Sequence, residues 1–277
     1  MVDKATVDYK DSYFNDSATN SYMKKRLTQM VERTLWALGE QLKAGDFIPD
    51  MYEKDFENNY DGMCITGKVD RVDLAVRNED TYVKIIDYKS GDNRITREDL
   101  IAGTNIQLLV YMKNVLDELK REKKGNVFAA AALYNKIFNP ILEEKGDNNL
   151  LKAYRPSGVI GHESIELLDR DFEKESCVIP VKNNKDGVVA FSETVVSDEQ
   201  FKLMADYATK KMVGMIGEIK SGTVTVNPYE KSCDYCPYNG VCGFNTVHHD
   251  EYRKKPQADK ELFWQQIGWE AGKDGVD

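Results

Sequence analysis

The chain has 277 residues, 41% of them apolar, enough to bury the core of one domain or of one domain with an appendage. A formal net charge of −9 argues against an autonomous grip on nucleic acid, which needs basic surface. No signal peptide or membrane-length apolar run is evident, which points to the cytoplasm, and five cysteines suit metal ligands or free thiols better than a disulfide framework.

Residues 16–44 read as a long amphipathic helix capped by Asp16 or Ser17, with Tyr22, Leu27, Met30, Val31, Leu35, Leu38 and Leu42 as a core-facing stripe. Phe47-Ile-Pro-Asp-Met-Tyr-Glu53 breaks that helix and turns toward a sheet. Residues 65–76 alternate apolar and polar side chains as a half-buried strand does. Arg77-Asn-Glu-Asp80 supplies a turn, and residues 82–88 form a second strand rich in β-branched and aromatic side chains. Leu100 to Lys120 reads as a second helix. Asn126 to Tyr134 is a continuous apolar run of strand length, as in a central strand covered on both faces. Strand, strand, helix, strand in this order predicts an α/β fold, a mixed sheet flanked by helices.

The next stretch carries less information. Residues 143–149 are polar and read as a loop, and Lys182 to Gly187 as a turn between short strands. Cys177 reads as a small buried hydrophobe. A helix returns from Ser197 to Ser221, with Asp198 and Glu199 in its first turn and Gly222 at its end.

Two places carry chemistry. The first is the hairpin Gly67-Lys-Val-Asp70-Arg-Val-Asp73 with Ile85-Ile-Asp87-Tyr-Lys89-Ser-Gly91. Asp87 and Lys89 are two apart on a strand and leave one face, while Tyr88 points away. The turn returns Asp70 beside them. Two carboxylates and an ammonium at one hairpin end suit a hard cation such as Mg²⁺ or Mn²⁺, with the lysine beside a water or a phosphate. Surface charges are the ordinary explanation of a D-x-K match, but Asp87 follows the buried-looking run Val83 to Ile86, where an unpartnered charge is costly. Gly67 marks a close backbone approach. Gln107 and Tyr111 lie one helical turn apart. Glu53 is a further acid ahead of the hairpin, as readily a supporting or exposed carboxylate as a metal contact.

The second place is Cys233-x-x-Cys236-x5-Cys242, three cysteines in ten residues around Pro237 and Gly240. Such a loop can turn its thiolates toward one metal. The spacing leaves zinc and iron–sulfur open, and zinc would need a fourth ligand such as His248 or His249.

The order G-x-x-D…D-Y-K…Q-x-x-x-Y resembles the RecB-like branch of the PD-(D/E)XK nucleases. Residues 20–49, Tyr154-Arg-Pro-Ser-Gly158 and the cysteine loop narrow the likeness, over about residues 15–244, to the C-terminal nuclease domain of AddB-type helicase–exonuclease subunits. The resemblance implies a restriction-endonuclease-like core over residues 1–226 and a cysteine-rich loop and tail over 227–277. It implies Mg²⁺-dependent DNA hydrolysis in double-strand break repair, beside an AddA-type helicase–nuclease partner. Asp70 and Asp87 would hold the metal, Lys89 would assist the water, and Gln107 and Tyr111 would support the substrate. A [4Fe–4S] cluster would use Cys233, Cys236 and Cys242 with a fourth cysteine upstream. Neither that cysteine nor the family's upstream histidine has a counterpart here, since Cys64 lies in the catalytic strand and the first histidine is His162. The expectation is a piece of a larger subunit that begins inside the nuclease domain. Two other readings are a stand-alone Cas4-like or RecB-like exonuclease and a non-catalytic, metal-stapled DNA-binding scaffold.

Overall fold

In the computed structural model the described residues are 17–142, 146–187, 189, 192, 194–234 and 236–272, with side chains of the last helix described for 262–268. Among them, six strands form one mixed sheet in sequential order: β1 (Ile48–Tyr60), β2 (Met63–Arg77), β3 (Asp80–Lys89), β4 (Val127–Lys136), β5 (Ser157–Gly161) and β6 (Val195–Val196). The pairs β1–β2, β2–β3 and β4–β5 are antiparallel, and β3–β4 and β5–β6 parallel. The expected α/β sheet is therefore present.

The long helix α1 (Ala18–Ala44) starts where expected, the Ser17 hydroxyl accepting from the Asn20 amide at 3.1 Å. The alternative cap Asp16 lies outside the described residues. Its apolar stripe is not core, however. Tyr22 and Leu35 are exposed, and the buried positions are Thr34 and Ala37. The helix meets the body along its C-terminal half, where Ala37 packs with Leu151, Tyr154 and Val178 and Gln41 donates to the Tyr154 carbonyl.

Residues 48–53, which in sequence read as a bend toward the sheet, and residues 54–60, which carry no sequence assignment, together form the whole of β1. This strand lies at the sheet edge and none of its residues is buried, so its polar composition is compatible with a strand. Asp61-Gly62, both with positive φ, turns it into β2, and the Asn59 side chain accepts from the Gly62 amide. The second hairpin turns at Asn78 and Glu79, again with both φ positive.

The single helix expected from Leu100 to Lys120 is two helices. The first, α2 (Arg97–Ala102), ends at Gly103, whose φ of 74° puts it in the left-handed region and turns its amide onto the last carbonyls. The second, α3 (Gln107–Glu122), carries the apolar face that crosses the sheet. Of the polar stretch 143–149, residues 143–145 lie outside the described set and the remainder enters helix α4 (Asp147–Ala153). A short helix α5 (Ile165–Leu168) follows β5. Helix α6 (Asp198–Lys220) begins with a full capping box: Ser197 accepts from the Gln200 amide and Gln200 accepts from the Ser197 amide. A one-turn helix α7 (Asn239–Cys242) and a final helix α8 (Lys260–Gly272) complete the chain.

The core has two sides. Val72, Val83, Ile85 and Ala132 face α3, α6 and α8, where Leu108, Met112, Phe201, Tyr207, Phe263 and Ile267 close the layer. Ile86, Ala131, Leu133 and Ile160 face Phe47, α5 and the Ile179–Val181 segment. Burying most of these aliphatic side chains contributes roughly 1.5–3 kcal/mol each. No helix of the described residues is long and apolar enough to cross a membrane.

Asp198, the first residue of α6, is half-buried beside the Glu163 carboxyl, and burial together with that neighbour pushes it up to about 6. The folded chain thus holds a proton there that the unfolded chain releases near 4. Stability from this site is present below pH 4 and lost as pH rises through 6. Thermal melts should show Asp198→Asn gaining stability relative to the parent as pH rises from about 4 to 6, with the gain level above that. An equal pH slope in both proteins would refute this account.

Candidate active site

The pairing of β2 with β3 fixes the site. The ladder ends at the Arg71–Ile86 pair, and Asp70 and Asp87 are the next residues beyond it, near enough for the Asp70 charge to act on Asp87. Asp87 follows Val83 and Ile85 onto the face covered by α3. Lys89, two residues on, shares it, and its Nζ lies 2.7 Å from Asp87 Oδ2. The Lys89 ammonium is thus a cation that already meets this buried oxygen. Burial raises the Asp87 carboxyl above its ordinary value; Lys89 opposes this and Asp70 adds to it. Asp70 is oriented from the backbone, its Oδ2 accepting from the Tyr88 amide at 2.8 Å.

Gly67 is explained by its neighbours. A Cβ there would meet the Phe56 ring at 2.4 Å and Tyr111 at 3.1 Å. Phe56 and Tyr111 pack edge to face, with ring centres 5.2 Å apart. The glycine therefore lets the first turn of α3 settle on β1 and β2 beside the acids. At the start of that helix the Gln107 amide donates to the Tyr111 hydroxyl at 2.9 Å. The structure thus places Asp70, Asp87 and Lys89 together, and Gln107 and Tyr111 together at the start of α3, with Tyr111 against Gly67.

Tyr134 carries no signal of its own in the sequence, where it reads as the end of an aliphatic run. It pairs with Asp87 across the parallel β3–β4 ladder, its hydroxyl donates to Asn105 Oδ1 at 2.7 Å, and Lys89 lies 6.0 Å from its ring centre. Burial, reinforced by Asp87, pushes its phenol above the ordinary range. Glu53 has a positive φ of 48° and falls between the Tyr52–Arg71 and Lys54–Val69 pairs, across from Asp70. Its carboxylate is exposed and turns to Lys68 at 3.4 Å.

Beneath the site, on the opposite face of the sheet, lies a buried charged group. Asp73 accepts from Arg71 Nε and Nη2 at 2.7 Å each, and Lys84 Nζ lies 2.9 Å from Asp73 Oδ2. Arg71 Nη1 also donates to the Tyr88 hydroxyl at 2.8 Å. Burial pulls the Lys84 ammonium below its ordinary value against the attraction of Asp73. Tyr88 points away from the acids, as expected. It joins the two faces, since its ring side is held by Arg71 and its amide holds Asp70.

The second expected centre is different. Cys233, Cys236 and Cys242 are partly buried near α7, and the Cys233 thiol beside Tyr252 raises that phenol above its ordinary value. Among the described residues no group of three or more His, Cys, Asp or Glu side chains is gathered closely enough to hold a metal. The convergence of the three thiolates expected from their spacing is thus not found. His248 and His249 do not supply it either. At the hairpin, Asp70 and Asp87 likewise have no third such side chain gathered with them among the described residues.

Compared with known families, residues 2–243 match the PD-(D/E)XK nuclease superfamily. Among curated proteins, the chain is 31% identical to the B-type subunit of the ATP-dependent helicase/deoxyribonuclease of Clostridium acetobutylicum, over 99% of the chain and 26% of that protein. It is 28% identical to the same-named protein of a Thermoanaerobacter species, over 99% and 26%. With that of Caldanaerobacter subterraneus it shares 30% identity over 94% and 24%. The chain therefore spans about a quarter of the length of these relatives.

Proposed function

This chain belongs to the PD-(D/E)XK nuclease superfamily, and from that membership we propose that it is the metal-dependent deoxyribonuclease domain of a helicase–nuclease complex. The complex would act in the cytoplasm on DNA at double-strand breaks, with an AddA-type partner carrying helicase and further nuclease activity. The names of the relatives, B-type subunits of an ATP-dependent helicase/deoxyribonuclease, support that setting. The observation that carries the reading is the buried Asp87 carboxylate with Asp70 and Lys89 beside it at the end of the β2–β3 hairpin. A buried carboxylate is costly unless cations meet it, and two neighbouring carboxylates beside a lysine suit a hard ion such as Mg²⁺ or Mn²⁺.

A bound ion there would polarise a phosphoryl oxygen and make a coordinated water acidic enough to attack. The chain's own residues do the rest. Asp70 and Asp87 would hold the ion, Asp70 kept in place by the Tyr88 amide. Lys89, half out of solvent, can leave Asp87 and place its ammonium against the attacking water or the developing phosphate charge. Gln107 and Tyr111, tied to each other on α3, would line the strand being cut. Tyr134, with a phenol that stays protonated, closes the floor.

The cysteines are proposed as three ligands of a [4Fe–4S] cluster in the full-length parent, the fourth coming from outside this sequence. Their chemistry suits a cluster and their arrangement here does not. Three thiolates would leave one iron without a protein ligand. The purified 277-residue chain should therefore carry no stoichiometric iron, while the full-length parent should carry four iron atoms and matching sulfide. Four irons per chain in the fragment would overturn this reading, and zinc in their place would point to His248 or His249 as the completing ligand.

The test of the main proposal is digestion of linear DNA by the parent subunit in its complex. Degradation should require a divalent cation, stop with chelator, and lose the cuts made by this domain in Asp87→Ala. Unchanged digestion of both strands by Asp87→Ala would leave the scaffold reading in its place.

A further inference from the structure

Past the end of β3 the chain turns through Gly91, Asp92, Asn93 and Arg94, and β4 ends beside it at Lys136. Between these two strand ends and the segment that enters β5 lies a cavity of about 280 Å³. Its position is set by the ladder that builds the active site. Tyr134, on its floor, pairs with Asp87, and Lys136 pairs with Lys89. The cavity therefore opens directly beyond the acids, along the direction in which β3 and β4 run.

Its lining reverses the charge of the molecule. In a chain of net charge −9, the charged side chains on its walls are Arg94, Lys136 and Arg155 against a single Asp92. Arg155 is held rigidly at the back, donating to Glu175 Oε1 at 3.1 Å and to the Ser176 carbonyl at 3.2 Å. Lys136 sits 2.6 Å from Asp92 and 4.8 Å from the centre of the Phe138 ring. Arg94 is exposed at the mouth. Cations in reach of aromatic faces are how proteins hold single-stranded nucleic acid without reading its sequence: the cation takes the phosphate and the ring takes the base or sugar. The volume is at the small end of ligand cavities, about right for one nucleotide unit and too small for a duplex.

We propose that this cavity is a nucleotide subsite for the strand being cut, holding the unit next to the scissile phosphate with its phosphate on Lys136 and Arg94 and its ring or sugar on Phe138. The proposal rests on the nuclease reading of Asp70, Asp87 and Lys89 and extends it. It also answers how an acidic chain keeps a polyanion in register at its carboxylates. The grip is local, a few cations past the end of two strands, while other parts of the assembly provide the bulk of the affinity. Asp92 fits this use as well, because it holds Lys136 in place until a phosphate displaces it.

The test uses the full chain carrying Asp87→Asn, so that DNA is bound and not cut, and a fluorescent single-stranded oligonucleotide titrated over a series of salt concentrations. Adding Arg94→Ala and Lys136→Ala should weaken binding about tenfold at low salt. The slope of log affinity against log salt should fall by about 1.4, since each lost phosphate contact on a single strand removes about 0.7. Lys136→Arg should retain most of both, which separates lost charge from lost packing. Unchanged affinity and slope in the double variant would overturn the proposal, as would no binding by the Asp87→Asn parent at low salt. Displacement of the oligonucleotide by millimolar inorganic phosphate as effectively as by unlabelled strand would also overturn it, showing a simple anion site. The two readings fail separately. If Asp87→Asn in the parent complex still cuts DNA, the catalytic assignment fails whatever the binding shows. If cutting is lost and the double variant binds normally, only the subsite fails.

Discussion

Replacing Asp87 by Asn should abolish cleavage by this domain while leaving the fold intact or more stable. The two halves of this result have one origin. Asp87 is 3% exposed, and burial raises its carboxyl above the ordinary value against the opposing Lys89 ammonium. A carboxylate in that position weakens the cation-free fold at neutral pH: its contribution is favourable while it is protonated and is lost as pH rises through its folded pKa. Asn is the same size, carries no charge and brings two donors of its own. Lys89 then loses its partner, but it is 31% exposed and can turn to water, so the loss is small. For cleavage the charge is indispensable, because a neutral amide is a poor ligand for a hard divalent ion. Removing groups that merely support metal ligands costs about 10–100-fold in affinity or activity, so loss of a ligand should exceed 100-fold. The measurements are single-turnover cleavage in Mg²⁺ and thermal melts in chelator. A variant within fivefold of wild type would refute the assignment; one that is inactive but several degrees less stable would refute the account of why.

The hairpin is legible in the sequence because its signals are local and agree. A strongly β-prone run ends on an acid, a four-residue polar turn precedes it, and the glycine three residues before Asp70 sits where two rings press on the backbone. The edge strand escapes the same reading for a physical reason. Alternation of apolar and polar residues reports a buried face, and β1 has no buried residue, so Ile48 to Tyr60 lacks that pattern. A usable signal is present in Asp61-Gly62, a hairpin turn between two extended runs. In α1 the opposite holds: a clear apolar stripe reads as core, but periodicity says only that a face exists and not what covers it. The break at Gly103 is hidden because the residues on either side continue a helical pattern. The buried charges escape for a further reason. In a sheet with one wet face, Arg71, Asp73 and Lys84 would point to solvent; here both faces are covered, and three polar side chains that look exposed in sequence are packed beneath Phe47 and Tyr88. Tyr134, which completes the site, is set by the register of a parallel pair 47 residues apart, which no local pattern carries.

That buried group predicts the largest effect on stability. Asp73 is fully buried and its two oxygens serve two cations, Arg71 through a two-pronged contact and Lys84 through one. The group is net positive with Asp73 present; Asp73→Ala leaves two unpaired positive charges side by side and out of water. Breaking a buried ion pair by deleting one partner costs about 3–5 kcal/mol, and here one deletion orphans two partners, so the upper end of that range applies. Against a typical stability of about 5–15 kcal/mol, the variant should be partly unfolded at ambient temperature. Its denaturant midpoint is the direct measure, and a loss below 1 kcal/mol would show that the charges reach water. Replacing Arg71, Asp73 and Lys84 together by apolar residues of similar volume is the decisive companion. It removes the desolvation cost along with the attraction and should recover most of the stability. Cleavage should not recover with it. Arg71 holds the Tyr88 hydroxyl, and the Tyr88 amide holds Asp70, so an apolar layer supports the sheet without fixing the carboxylate on its other face. A triple variant that is both stable and fully active would show that these charges serve neither, and that Asp70 is held by the backbone alone.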